Sequence, residues 1–228
     1  MIAVIFDIDG TLTRTNRVDH QCYLAAFHEV AGQELTDDFH AYPHVTDGGI
    51  LETAWQRMFG RSPGQEEVER MKAAFLARLE AAWAADPGRF KPLPGAGELL
   101  AELKADQDLA LGLATGCWRS SAVRKLAWAG LETKDLPLAG SDETPSRVEI
   151  IRACLGRAAR ERGGSGFEAA VYVGDGPWDL AAAKELGLGF IGVGKRLEAK
   201  APEMVWAGED WNGSESFPRL LDLACRPG

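Results

Sequence analysis

Three short clusters in the chain, each directly after an apolar run, carry residue types suited to holding a phosphate beside a hard cation. The first is Asp7-Ile8-Asp9-Gly10-Thr11, after Ile2–Phe6. Carboxylates two residues apart on extended chain project from the same side, and they repel each other unless a cation sits between them. Gly10 permits a tight turn behind them. Asp, Gly and Thr are also common turn residues, so in isolation this segment reads equally well as a turn. The second cluster is Thr115-Gly116, after Leu109–Ala114. It offers a hydroxyl and an unobstructed backbone N–H, the groups that hold a phosphate oxygen, and it also suits a plain strand-ending turn. The third is Gly174-Asp175-Gly176-Pro177-Trp178-Asp179, after Ala170–Val173. Asp179 falls where a helix begins, and an acid is stabilised there anyway. Asp175 has no such account, and a third carboxylate at a neighbouring strand end calls for a metal. Magnesium fits, because it is oxygen-loving and takes a few carboxylates together with water and phosphate.

These clusters need strands to present them from one edge, and the pattern supplies strands. Ile2–Phe6, Leu109–Ala114, Leu136–Leu138, Ala170–Val173 and Phe190–Val193 are short apolar runs of the kind buried on both faces of a parallel sheet. Between them lie helix-period segments at Glu98–Leu103, Ala122–Trp128, Val148–Ala159 and Leu180–Leu186, the last ended by Gly187. Alternation of this kind predicts an α/β fold, a Rossmann-like doubly wound parallel sheet with its site beyond the strand ends. The stretch from Thr15 to Phe90 breaks the alternation with helical signals only. Val68, Met71, Phe75, Leu79 and Trp83 form one amphipathic stripe, and Ser62-Pro63-Gly64-Gln65 predicts its start as an N-cap serine followed by proline. Tyr23, Ala26, Phe27 and Val30 predict an earlier helix, and Ile50, Ala54, Trp55 and Met58 another. Residues 15–90 are therefore expected to form an inserted α-helical cap, and residues 1–14 and 91–228 the catalytic core. Lys91-Pro92-Leu93-Pro94-Gly95 marks the return.

Bulk properties narrow the function. The 228 residues carry a net charge of −9 with 46% hydrophobic and 26% charged residues, an ordinary globular composition. An acidic chain without a basic run is a poor partner for nucleic acid. Four cysteines, Cys22, Cys117, Cys154 and Cys225, have no paired spacing and read as reduced thiols. No apolar stretch approaches membrane-spanning length and no leader is visible, so the expectation is a soluble, cytoplasmic protein.

Phe6-Asp7-Ile8-Asp9-Gly10-Thr11-Leu12, Ala114-Thr115-Gly116 and Gly174-Asp175-Gly176-Pro177-Trp178-Asp179 resemble, in order, motifs I, II and IV of the haloacid dehalogenase-like hydrolases. The helical insertion resembles the cap of the phosphoglycolate phosphatase-like branch. The resemblance implies hydrolysis of a small phosphate ester through an aspartyl-phosphate, with Asp7 as nucleophile and Asp9 as general acid/base. It also implies Mg²⁺ held by Asp7, the Asp9 carbonyl and Asp175, with Asp179 supporting through water. A carboxylate can play nucleophile because an acyl-phosphate splits one hard displacement into two easier ones. Dehalogenases of the superfamily lack the second aspartate, so Asp9 favours phosphoryl transfer. A phosphomutase, or a binding protein that kept the fold, remains an alternative. Phosphonate hydrolysis is disfavoured, because that branch uses a cap lysine and Lys72 is the only lysine between Thr15 and Phe90.

Motif III departs from the family. Ser141-Asp142-Glu143-Thr144-Pro145-Ser146-Arg147 has no lysine, so Arg147 is expected to contact phosphate with Thr115 and Gly116, with a solvated helix position as the alternative. Pro145 would then lie in the first helical turn. His20, His28, His40 and His44 show no metal-ligand spacing, and Pro43 separates the last two. Trp55, Trp83 and Trp128 are expected in the core, and Trp118 and Trp178 either at the site's edge or in packing. Thr46-Asp47-Gly48-Gly49 is expected to be a flexible polar loop that faces the site.

Overall fold

The computed structural model describes residues 1–164, 166–212 and 217–225, with backbone alone at His40 and residues 201–203. Among the described residues six strands form one parallel sheet: β1 (Ile2–Phe6), β2 (Leu109–Ala114), β3 (Leu138–Ala139), β4 (Ala169–Gly174), β5 (Gly189–Gly192) and β6 (Val205–Trp206). Their order is β3-β2-β1-β4-β5-β6. The chain leaves β1 toward β2 on one side and later crosses to β4 on the other. The crevice at that switch point, between the ends of β1 and β4, is where open α/β sheets bind ligands.

Period-two geometry explains why the strands are apolar throughout. Val4 and Phe6 point into a cluster with Leu99, Leu103, Leu126 and Phe217, beneath α4 (Ala96–Ala105), α5 (Arg119–Trp128) and α8 (Phe217–Ala224). Ile5 points the other way, joining Tyr172, Ile150 and Leu180 under α6 (Arg147–Glu161) and α7 (Pro177–Leu186). Between β1 and β2 stand α1 (Asn16–Ala31), α2 (Asp47–Phe59) and α3 (Gln65–Ala85). They bury their own cluster, including Tyr23, Phe27, Trp55, Met71, Phe75 and Leu79. Trp118, at the loop after β2, inserts into this helical cluster, stacking on Tyr23 with ring centroids 5.9 Å apart. It is a packing residue, fully enclosed.

Several expected boundaries move. The third strand was expected at Leu136–Leu138 but is Leu138–Ala139. Pro137 has no N–H for the ladder, although its carbonyl receives the Leu113 N–H at 2.8 Å. The long insertion helix is capped by Gly64, not Ser62. Glu67 reaches back to the Gly64 N–H at 2.5 Å while Arg61 grips Glu67, and the Ser62 hydroxyl turns to Glu52. Pro145 precedes the Ser146 cap rather than entering the first turn of α6. Trp83 is 38% exposed and stacks on Trp128 at 5.5 Å instead of filling the core.

Cys22, Cys117 and Cys154 are buried, and burial pushes the Cys154 thiol up to about 12. Thiolate is the reactive form. Titration of the native protein with a disulfide reagent should therefore show one fast thiol, Cys225, and the others only after denaturation. Fast reaction of more than one thiol would contradict the packing described.

Candidate active site

The end of β1 presents Asp7, whose amide donates to Val173 O at 2.9 Å and so locks the residue to β4. The chain then turns sharply, with Gly10 at φ +84°. A Cβ at position 10 would stand 2.1 Å from Asp175 Oδ2 and 2.2 Å from Asn16 Nδ2, so only glycine lets the turn lie against the next acid. Asp175 follows β4, and Asp179 enters the first turn of α7, accepting the Gly176 N–H at 2.9 Å. One carboxylate oxygen from each of Asp7, Asp175 and Asp179 lies within 4.8 Å of the other two, and all three residues are buried. Thr115 is buried beside them, and its hydroxyl accepts the Cys117 N–H at 3.2 Å, leaving its own proton to donate elsewhere.

Arg147 reaches this group from the start of α6. One guanidinium nitrogen lies 2.9 Å from Asp179 Oδ1, 3.4 Å from Asp7 Oδ1 and 3.3 Å from the Tyr172 hydroxyl. The other donates to Val45 O at 2.8 Å. A Cβ on Gly116 would come within 2.5 Å of that second nitrogen, so glycine lets the guanidinium close on the Thr115 turn. The structure thus brings Asp7, Asp9, Thr115, Gly116, Arg147 and Asp175 to the wall of one cavity of about 290 Å³, with Asp179 behind. Lys195 is 74% exposed and pairs with Glu209, away from this position.

The segment Thr46–Gly49 faces the cavity as expected, but it is no loop. Thr46 caps α2 by accepting the Gly49 N–H at 3.1 Å, and Asp47 and Gly49 lie in the buried first turn. That turn docks on the core. Asp47 N donates to Gly116 O at 2.7 Å, Trp118 N donates to Asp47 Oδ2 at 2.9 Å, and Thr46 Oγ1 donates to Pro145 O at 2.9 Å. Trp178 lines the cavity with Arg196 over its ring at 5.2 Å.

Several contributors escape sequence reasoning. Asn16 donates to Asp175 Oδ2 at 2.9 Å and Arg196 pairs with the same oxygen at 3.1 Å. Lys125 on α5 is fully buried, pairing with Asp9 Oδ2 at 2.6 Å and with Asp19. Its signal was a lysine at helical spacing from Ala122 and Ala129, on an otherwise apolar face. Asp9, Asp19 and Cys117 are also close enough to hold an ion, but the Lys125 ammonium already sits among them.

Burial and crowding set the protonation pattern. Asp7 is pushed well above the usual carboxylate range by burial and then by Asp179, with Arg147 opposing. Burial lifts Asp175 to about 7 against Arg196. Burial would also raise Asp9, but Lys125 and hydrogen bonds from Cys117 and Thr15 hold it below the usual value. Asp9 therefore rests as a carboxylate, the form of a base. Three carboxylates this close and this buried form a hard-oxygen donor set that a divalent cation would relieve.

A model of the haloacid dehalogenase-like hydrolases matches residues 1–187. The chain belongs to that family. This hydrolase is 28% identical over 198 residues to a phosphoglycolate phosphatase of Rhodospirillum rubrum, spanning 82% of this chain and 76% of the relative. A hydrolase from Pseudomonas syringae superposes with a TM-score of 0.69 at 21% identity, covering 95% of this chain and 99% of the other. CbbY from Rhodobacter sphaeroides, in complex with phosphate, superposes with a TM-score of 0.59 at 23% identity, covering 84% and 85%. The two structural likenesses show a shared fold. The family makes the chain a hydrolase. Among the described residues no helix is long and apolar enough to cross a membrane.

A pH dependence follows for protein stripped of divalent metal. An unfolded aspartate titrates near 3.9, whereas native Asp175 titrates at about 7 and Asp19 at about 6. Between those values the native state binds protons that the unfolded state has released, so stability falls as pH rises through that window. In chelator, the melting temperature should drop between pH 5 and pH 7.5, and Mg²⁺ at the upper pH should restore part of it. A melting temperature that rises across the window would contradict the assignment.

Proposed function

We propose that this hydrolase is a Mg²⁺-dependent phosphomonoesterase that hydrolyses a small phosphorylated metabolite through an aspartyl-phosphate on Asp7. The observation that carries the reading is the buried Asp7–Asp175–Asp179 group, set beside Arg147 and Thr115 at the switch point of the sheet. Asp7, the Asp9 carbonyl and Asp175 would hold the ion, with Asp179 behind them. Bound there, magnesium would screen the repulsion between the nucleophile and the phosphoryl oxygens.

Asp7 attacks phosphorus, forming an Asp7 O–P bond as the bond to the ester oxygen breaks. Arg147 and the Thr115 hydroxyl bind the equatorial oxygens, and Gly116 leaves the backbone close to them. Asp9, resting ionised, takes the proton of the water that attacks the aspartyl-phosphate, releasing phosphate and freeing Asp7. An arriving phosphate dianion favours protonation of Asp9, so Asp9 takes up a proton with the substrate, gives it to the leaving oxygen in the first step and is ionised again when the water attacks. Residues 15–90 act as a cap. With the first turn of α2 seated on Gly116 and Trp118, the cavity is shielded from bulk water while the acyl-phosphate exists. The phosphoglycolate phosphatase activity of the relative supports a small, anionic phosphate ester as the substrate class.

The test is turnover of p-nitrophenyl phosphate and a panel of phosphorylated metabolites, with Mg²⁺ and with excess chelator. Turnover should vanish in chelator and in Asp7→Asn, which removes the nucleophile at nearly constant shape. Undiminished turnover in either condition defeats the mechanism. Arg147→Ala should cost kcat/KM about 10²–10³-fold, the scale of one lost electrostatic stabiliser. Arg147→Lys should recover part of that, because the charge returns without the fork. Near-wild-type activity of Arg147→Ala would remove Arg147 from phosphate binding.

A further inference from the structure

Lys125 touches none of the reacting atoms in the chemistry just described, yet it is 0% exposed. A lysine is almost never enclosed in this way unless it is paired. Its ammonium has three N–H donors, and three acceptors surround it: Asp9 Oδ2 at 2.6 Å, Cys117 Sγ at 3.0 Å and the Asp19 carboxylate. Each acceptor comes from a different segment. Asp9 belongs to the turn after β1, Cys117 follows the phosphate-binding Thr115-Gly116, and Asp19 lies in the first turn of α1 of the insertion. The lysine itself stands on α5, which is rigidly seated in the core through Ala122 and Leu126.

The consequence falls on Asp9. Its Oδ2 accepts from Lys125 and from Cys117 Sγ at 2.9 Å, while Oδ1 accepts from Thr15 Oγ1 at 2.5 Å. Three donors leave the carboxylate one orientation, in which it lines the cavity. For packing alone, an apolar side chain of similar length would serve that place as well or better, because a buried ion pair is often no more stable than its apolar replacement. What an apolar residue could not do is aim a carboxylate.

We propose that Lys125 is a positioning residue for Asp9, holding its carboxylate in the orientation used for proton transfer and, through Asp19, making that orientation depend on the insertion being seated. This rests on the role of Asp9 given above. Lys125 does not touch the reacting atoms, and its effect passes through Asp9. With the insertion lifted, Asp19 leaves the ammonium and the carboxylate loses part of its frame.

The test is a double-mutant cycle read as kcat and KM on p-nitrophenyl phosphate with Mg²⁺. Lys125→Met alone strands two buried carboxylates and can fail to fold, so the cycle is run in an Asp19→Asn background, with folding checked by circular dichroism and melting. There, Lys125→Met should lower kcat about 10- to 100-fold, the effect of loosening a catalytic group by a fraction of an ångström to an ångström, with little change in KM. With Asp9→Asn added, the loss caused by Lys125→Met should shrink to less than about twofold, since two residues acting as one unit are not additive. An equal loss in both Asp9 backgrounds, or a loss confined to KM, overturns the positioning role and leaves the phosphatase reading intact. Absence of Mg²⁺-dependent turnover in the wild type, or full activity in Asp9→Asn, overturns the earlier reading and this proposal with it.

Discussion

The structure is organised around the cost of keeping carboxylates together out of water. Asp7, Asp175 and Asp179 crowd one buried spot, and the partly buried Asp9 and Asp19 meet beside it. Uncompensated, each such charge would cost several kcal/mol. Two fully or nearly enclosed cations answer them, Arg147 for the first group and Lys125 for the second. Neither could be spared as a mere surface ion pair, which contributes about 0–1 kcal/mol. The parallel sheet makes the arrangement possible, since β1 and β4 run side by side and end at the same level. It places Asp7 and Asp175 next to each other without any designed loop.

The two cations divide the work. Arg147 meets Asp7, Asp179 and Tyr172 through one guanidinium nitrogen and the Val45 carbonyl through the other, so the wall of the cavity and the edge of the insertion share one group. Lys125 is a point charge in a pocket of three acceptors. An ammonium in the Arg147 position would lose the planar fork that spans Asp179 and Val45. Where the resemblance implies a motif III lysine, this chain brings the Arg147 guanidinium against Asp7 and Asp179.

The parts of the site legible from sequence were those written locally. Asp7, Asp9, Thr115, Gly116, Asp175 and Asp179 each follow a strand that announces itself by an apolar run. Once the strands are parallel their ends converge, and the meeting of Asp7, Asp175 and Asp179 follows from strand order. Arg147 was legible as the cation nearest the expected place. Lys125 was not, because helical periodicity reports which face is buried but not that a charge on that face has found partners. Those partners, Asp9 and Asp19, are far away in sequence and appear only once the insertion is folded onto the core. Arg196 follows β5 in a region without clear periodicity, and β6 is only two residues long, too short to leave a pattern. Pro137 did leave a signal, since a residue without an N–H shifts the start of a buried strand past itself.

Trp118 belongs by chain to the loop after β2 and by packing to the helical insertion, between Tyr23 and Phe75. Its indole joins the two by packing. An insertion that swings away to admit substrate must drag its aromatic pocket off this indole. A buried tryptophan hides about 150–250 Å², worth about 4–6 kcal/mol at ~25 cal/mol per Å². Wide opening that bares the whole ring would thus be rare. A rotation that keeps Tyr23 and Phe75 against the indole, and exposes about a third of it, costs only about 1–2 kcal/mol by the same measure. That is the range in which a minor state is populated at about the ten-percent level. An insertion that moved in this way would turn about Trp118, and a substrate too bulky for so narrow an opening would be refused before any residue of the site could read it.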